Sequence, residues 1–111
     1  MTHFVVEGKI QFIKALQTAS GHYRTVVMLL KKDNKRNKTQ KYYVTCFDNV
    51  AFELACTCDR NDYIRITGEL NNNCYKTSTG VIKDELQLIG HNFEKIYWSN
   101  DDKRFLPLTI D

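Results

Sequence analysis

A short basic segment is the part of this sequence whose residue types point most clearly to a chemistry. From Lys31 to Lys41 the chain carries six basic residues and the single acid Asp33, a net charge of +5, whereas the whole chain of 111 residues carries +3. The basic side chains are those of Lys31, Lys32, Lys35, Arg36, Lys38 and Lys41. Such a concentration of positive charge favours contact with a polyanion, because cations that pair with phosphates release the counterions bound there.

Aromatic residues follow the basic segment in a strand-like pattern. Two-residue alternation places Tyr43 and Phe47 on the same strand face as Lys41. Exposed rings beside a basic groove offer surfaces on which unpaired bases stack. The pattern therefore indicates contact with a single-stranded nucleic acid. Two structural alternatives stay open: the lysines keep a hairpin tip soluble, and Phe47 closes the mouth of a barrel.

Length and composition are those of an ordinary globular domain. The 111 residues are 42% hydrophobic and 26% charged, which is enough for one modest core. No apolar run reaches the roughly 18 residues of a membrane span, and the first residues do not resemble an export signal. The sequence therefore predicts a cytoplasmic protein with no membrane partner, in which the cysteines are reduced thiols.

Metal and enzyme chemistry are not indicated. Cys56 and Cys58 are separated by one residue, whereas structural zinc sites favour cysteine pairs separated by two to four. The remaining candidate ligands are scattered: Cys46, Cys74, His3, His22 and His91. The sequence has no Gly-rich phosphate loop, no HExxH motif and no nucleophile elbow. We expect a protein that is not an enzyme and that uses neither a metal nor a cofactor.

The spacing of apolar residues predicts the elements that position these side chains. Strands are expected over residues 2–15, 23–30, 40–47, 63–70 and 82–95, with 71–75 continuing the fourth strand outward. A helix is expected over 48–57 with Asp48 as its N-cap, and Gly8 is expected to mark a bend or bulge. This order predicts an all-β OB-fold, a five-stranded, partly open barrel with one short helix between strands 3 and 4. Residues 1–97 would form this domain and 98–111 a short C-terminal tail.

Four runs of sequence together carry a resemblance to a known family. They are VEGKI, TASGHYRTVVMLL, KYYVTCFDNVAFELA and DYIRITGELNNNCYKTSTGVIKDELQL. In this order they resemble the bacterial and phage-type single-stranded DNA-binding protein family, over roughly residues 4–93. The resemblance implies an OB-fold that binds single-stranded DNA on its strand 2 and 3 face.

The resemblance also implies roles for individual residues. Phe47 matches the family's stacking aromatic at the end of strand 3, and Tyr75 matches the one on the hairpin between strands 4 and 5. Two further predicted contacts come from their positions in the sequence: Lys76 is next to Tyr75, and Arg24 lies on a face of strand 2 that suits either the nucleic acid or another subunit. Three of the other tyrosines and the tryptophan are expected to pack in the protein or between subunits: Tyr23, Tyr42, Tyr63 and Trp98.

Three departures from the family pattern modify these expectations. Lys41 stands where many members have tryptophan, and the loop after strand 2 has no aromatic residue, so we expect less stacking and more electrostatic attraction. The long linker and acidic tip common in the family do not follow the domain. That difference points to a phage, plasmid or mobile-element member, and it makes recruitment of partner enzymes an open question.

The sequence thus predicts a protein that binds single-stranded DNA with little sequence preference, during replication, recombination or repair. The resemblance implies a homotetramer or a homodimer. The first alternative is a primosome-like protein-interaction module that contacts replication proteins and touches DNA secondarily. An OB-fold that binds RNA is the second alternative.

Overall fold

The computed structural model describes residues 2–108. Its elements, in chain order, are β1 (His3–Gln17), β2 (Tyr23–Asp33), β3 (Lys38–Phe47), α1 (Asp48–Thr57), β4 (Tyr63–Lys76), β5 (Ile82–Ser99) and β6 (Arg104–Pro107). All five predicted strands and the predicted helix are present. The strands extend further than predicted, because the pairing continues beyond the apolar residues into the polar hairpin ends.

Strands β1 to β5 form a closed barrel. The long β1 pairs antiparallel with β4 through its first half and with β2 through its second half. β3 pairs with β2, and β5 with β4, also antiparallel. A short parallel pairing of β3 with β5, from Val44–Leu88 to Cys46–Gly90, closes the barrel. This connectivity, with α1 between β3 and β4, confirms the predicted OB-fold.

The barrel interior is filled by alternating side chains of the strands. The fully buried side chains include Val27, Leu29, Val44, Cys46, Ile64 and Ile66. Helix α1 adds Ala51 and Leu54 to the same core. The hydroxyl of Thr25 donates a hydrogen bond of 2.9 Å to the Ala51 carbonyl, which ties the helix to β2. The inward positions of β2 and β3 are therefore committed to packing, and their outward positions are left for contacts.

The start of α1 differs from the prediction. Phe47 is the N-cap residue, and no side chain caps the helix. Asp48 is the first helical residue, with a φ of +55°, and its carboxylate lies 3.0 Å from Nδ1 of His22. The prediction of Asp48 as N-cap was wrong because its carboxylate is directed to the turn before β2.

The bulge in β1 lies further along the strand than expected. The pairing with β2 skips one residue between Ile10 and Phe12, so Gln11 is the extra residue. Gly8 is instead required by a close approach, because a Cβ there would lie 2.8 Å from the carbonyl oxygen of Leu30. Since the bulge shifts the side-chain alternation, Phe12 faces outward although Ile10, two residues earlier, faces the core.

The predicted basic loop is mostly a β-hairpin. The β2–β3 pairing continues to Asp33 and Lys38, so only residues 34–37 form the turn. Lys31 and Lys32 belong to β2, and Lys41 belongs to β3. The cations are therefore carried on two paired antiparallel strands and the turn between them, which we call the basic hairpin (residues 31–41).

The chain from residue 98 onward does not begin as a loose tail. β5 continues to Ser99, and β6 returns beside it as a sixth strand, with Trp98 paired to Phe105. The guanidinium of Arg65 donates to the Phe105 carbonyl at 3.3 Å, and the Leu108 amide donates to the Lys95 carbonyl at 2.8 Å. The last part of the predicted tail, residues 109–111, lies outside the described residues.

Candidate nucleic-acid interface

The outward positions of β1, β2 and β3 form one surface, which we call the outer face. On it, Tyr43 lies opposite Met28, which lies opposite Phe12. The rings of Phe12 and Tyr43 are in contact, with centroids 6.0 Å apart. Tyr43 is 55% exposed, Phe47 is 43% exposed and Phe12 is 38% exposed. These three rings, the aromatic patch, offer π surfaces to solvent on one side of the barrel.

Sequence reasoning placed Tyr43 and Phe47 on this face but missed Phe12. The alternation from Ile10 would have put Phe12 in the core, and the extra residue at the bulge reverses that expectation. The isolated polar Gln11 between apolar neighbours was the available signal, and it does not distinguish a bulge from an ordinary outward position.

Arg24 lies next to the aromatic patch, at the end of the barrel where β3 leads into α1. It lies opposite Phe47 on β3 and opposite Leu16 on β1, and it is exposed. The hydrogen bond between the His22 ring and the Asp48 carboxylate lies at the same end of the strands. Arg24 is therefore placed where its guanidinium can reach a phosphate beside the ring of Phe47.

The basic hairpin presents its cations on two faces and at its tip. Lys32 and Lys41 lie on the outer face, whereas Lys31 and Lys38 alternate to the opposite face. At the tip, the Lys35 amide donates to the Asp33 carboxylate at 3.1 Å, and Nε of Arg36 lies 3.9 Å from the same carboxylate.

Most of these cations are available to a ligand. Within residues 2–108, only Arg36 of the six forms an ion pair, a long and exposed one with Asp33. An exposed pair of this kind contributes little free energy and is readily exchanged for a phosphate. The hairpin therefore keeps nearly its full charge for an anionic ligand.

Tyr75 lies on the far part of the β4–β5 hairpin. It is 38% exposed, and its hydroxyl donates a 2.8 Å hydrogen bond to the Glu85 carboxylate. That hydrogen bond raises the pKa of the Tyr75 phenol, since the carboxylate favours the neutral donor. Lys76, the next residue, points to the opposite face of the hairpin, so the two predicted contacts are not side by side.

The outer face continues from the barrel onto this hairpin. Thr45 on β3 lies opposite Ile89 on β5, and regular alternation along β5 leads from Ile89 to Lys83, the partner of Tyr75. Tyr75 therefore lies on the same continuous surface as Tyr43 and Phe47.

A groove separates the basic hairpin from the β4–β5 hairpin. Its volume is about 590 Å³. Lys31, Lys41 and Tyr43 line one side, and Leu70 and Leu86 line the other. Strand β3 and the β4–β5 hairpin therefore border one groove, as stacking on both would require. Tyr75 itself does not line this groove, because it lies on the other face of its hairpin.

The cysteines divide between the core and the surface. Cys46 and Cys58 are buried, and Cys56 and Cys74 are exposed. Burial raises the pKa of the Cys46 thiol to about 11, so it stays protonated in the core. Within residues 2–108, no cluster of three or more histidine, cysteine or acidic side chains is arranged to hold a metal ion. No helix in this part of the chain is long and apolar enough to cross a membrane.

Comparison of the chain with models of known protein families gives no match, and comparison with curated proteins gives no significant match.

Proposed function

We propose that this protein binds single-stranded DNA, with the outer face as the binding surface. The observation that carries the proposal is the position of the aromatic patch directly beside the basic hairpin on one face of an OB barrel. Phosphates would pair with Lys32, Lys41 and the tip cations, while bases stack on the exposed rings. Both contacts act on groups that every nucleotide carries.

Little sequence preference follows from this chemistry. Rings stack on any base, and lysines contact any phosphate, so base edges are not read. The proposed role is therefore to cover single strands during replication, recombination or repair. The proposed place is the cytoplasm, and the DNA would be that of a chromosome, a phage or a mobile element. An RNA ligand would use the same groups, and the experiment below separates the two.

Exposed apolar side chains favour a second candidate function, contact with proteins. Val5 is 63% exposed, Leu86 is 70% exposed and Ile82 is 71% exposed, and the first two line the groove. Side chains of this kind suit contact with a second copy of the chain, so we propose a homo-oligomer. The alternative is a primosome-like module, in which the same side chains contact other replication proteins. Sedimentation of the parent and of Leu86→Lys tests it, and a monomer at all parent concentrations would refute self-association.

Fluorescence anisotropy with labelled oligonucleotides tests the main proposal. Oligo-dT of increasing length, oligo-U and a duplex are titrated under the same salt conditions. We expect affinity to rise with oligo-dT length and to be much lower for the duplex, whose bases are unavailable for stacking. Tighter binding of oligo-U would indicate RNA as the ligand. Equal affinity for the duplex, or no binding at all, would overturn the proposal.

A further inference from the structure

A second group of aromatic rings includes two from the part of the chain that was expected to be a tail, Trp98 and Phe105. Phe105 on β6 contacts Trp98 on β5, with ring centroids 5.2 Å apart in an edge-on arrangement. It also contacts Tyr63 at the start of β4, at 5.6 Å. Trp98 is 50% exposed and Tyr63 is 41% exposed. We call Tyr63, Trp98 and Phe105 the β6 cluster.

The β6 cluster forms one side of a cleft whose opposite side is the basic hairpin. The cleft has a volume of about 590 Å³, and the base of the hairpin lines it with Leu30, Lys31 and Lys32. Gly8 and Lys9 of β1 lie between the two sides. The volume is within the range of pockets that hold small organic ligands, so a nucleotide is of a suitable size.

The charge of the cleft favours an anion. Three lysines line it, Lys9, Lys31 and Lys32, against one acid, Glu7. The Glu7 carboxylate accepts hydrogen bonds from Arg65 at 2.6 and 2.9 Å, and the same guanidinium also pairs with Glu94, so these three groups together contribute a net charge of −1 against the three lysines. The lysines therefore set the local potential, next to rings on which a base can stack.

The strand register connects this cleft to the aromatic patch. Lys41 lies opposite Leu30, Leu30 opposite Lys9, and Lys9 opposite Tyr63, all on the outer face. Three inter-strand steps of about 4.8 Å place Tyr63 roughly 14 Å from Lys41. One exposed surface therefore runs from Tyr43 across a row with two lysines to the β6 cluster.

From this arrangement we propose that the β6 cleft is a second stacking site for the same single strand of nucleic acid. A base stacks on the exposed ring of Trp98 or Tyr63, and Lys9, Lys31 and Lys32 contact the adjoining phosphates. The bound nucleic acid would reach the cleft from the aromatic patch by crossing the row of Lys41, Leu30 and Lys9. The inference rests on the proposed function. It adds a site in the β6 cleft, on the side of the basic hairpin that faces away from the groove.

Trp98 makes the proposal directly measurable, because it is the only tryptophan in the chain. Trp98 fluorescence, excited selectively, should be quenched as unlabelled oligo-dT is added. The midpoint of this titration should equal that of the anisotropy titration with labelled oligo-dT. Trp98→Ala should weaken oligo-dT binding roughly tenfold, the loss expected for one stacked base. Tyr97→Ala is the matched control, since Tyr97 is 44% exposed and lies on the other face of the same strand.

A contact independent of any substitution is obtained by photocrosslinking. Oligo-dT containing 5-iodouracil is irradiated with the unmodified protein, and the crosslinked peptide is identified by mass spectrometry. Crosslinks at Trp98, Phe105 or Tyr63 are expected. Because Arg65 and the Leu108 amide hold β6 without the Trp98 ring, Trp98→Ala should fold, and thermal melting checks this.

The outcomes separate this inference from the proposed function. Oligo-dT binding with unchanged Trp98 fluorescence, no crosslink in the cluster and full affinity of Trp98→Ala would overturn the second site alone. Absence of oligo-dT binding by anisotropy would overturn the proposed function as well. Trp98 fluorescence that changes with protein dilution and not with oligo-dT would assign the cluster to a subunit interface and overturn the inference.

Discussion

The two long hairpins that border the groove differ sharply in charge. The basic hairpin carries a net +5 over residues 31–41, whereas residues 71–88 of the β4–β5 hairpin carry two lysines and two acids, a net charge of zero. The second hairpin instead exposes Tyr75 and the apolar side chains of Ile82 and Leu86. Attraction of phosphates is therefore confined to the basic hairpin, whereas the β4–β5 hairpin offers apolar surface to the groove and the ring of Tyr75 on its other face. The contrast separates electrostatic from stacking and packing contributions within one barrel.

Removal of charge from the basic hairpin should have the largest effect. Changing Lys32, Lys35, Arg36 and Lys38 to Ala should reduce oligo-dT affinity at low salt by roughly a hundredfold or more, because phosphate contacts dominate affinity. The slope of log affinity against log salt should fall by about 0.7 per lost contact. Titrations at several salt concentrations measure both quantities.

The control for this prediction removes two exposed cations from outside both hairpins, Arg60 and Lys103. That variant should keep the parent slope. If the four-residue variant also keeps it, the basic hairpin serves only solubility, and the charge contrast between the hairpins has no role in binding.

Tyr75→Ala tests the uncharged hairpin and should have the next largest effect. Loss of one stacked base is worth about 1 to 3 kcal/mol, so affinity should fall roughly tenfold to a hundredfold while the salt slope stays unchanged. The melting temperature should change little, since Tyr75 lies on the far part of the hairpin, outside the core. Tyr75→Phe is the matched control: it keeps the ring, removes the hydrogen bond to Glu85, and should keep the affinity. Unchanged affinity of Tyr75→Ala would make the ring structural.

Phe47→Ala should affect affinity and stability together. The ring is 43% exposed on the barrel and precedes α1 as its N-cap residue. We expect affinity to fall about tenfold, because a stacking surface is lost. We expect the unfolding free energy to fall by about 1 kcal/mol, because removal of the buried part of the ring leaves a cavity. Melting curves measured beside the titrations separate the two effects. A lower melting temperature with parental affinity would assign Phe47 to barrel closure.

Asp33→Asn should have the smallest effect, and in the opposite direction. It removes the one acid of the basic hairpin while an amide oxygen can still accept the hydrogen bond from the Lys35 amide. Affinity for oligo-dT at low salt should rise by roughly twofold to threefold, since a like charge to the phosphates is lost. The equivalent change on the β4–β5 hairpin, Asp84→Asn, should produce a smaller gain in oligo-dT affinity. A greater gain from Asp84→Asn would show that the ligand's phosphates lie closer to the β4–β5 hairpin.

Much of the fold was predictable because its signals are local. The helix bounds 48–57 agree with the structure, and five strands were expected where five barrel strands occur. β6 was missed because four residues after an acidic turn carry too little periodicity to indicate a strand. Its position depends on distant partners, Arg65 and Lys95, which hold its backbone. The same lack of local signal concealed the outward orientation of Phe12, which follows from a bulge.

The sequence by itself determined the concentration of charge at residues 31–41 and the outward alternation of Lys41, Tyr43 and Phe47, because composition and a two-residue period are properties of neighbouring residues. Tertiary structure alone decided which distant groups share a surface. Barrel closure through β3 and β5 places Tyr75 on the surface of Tyr43, and the return of β6 places Trp98 across a cleft from Lys32. These arrangements depend on cross-strand register, which is established only when the barrel closes and the core side chains pack.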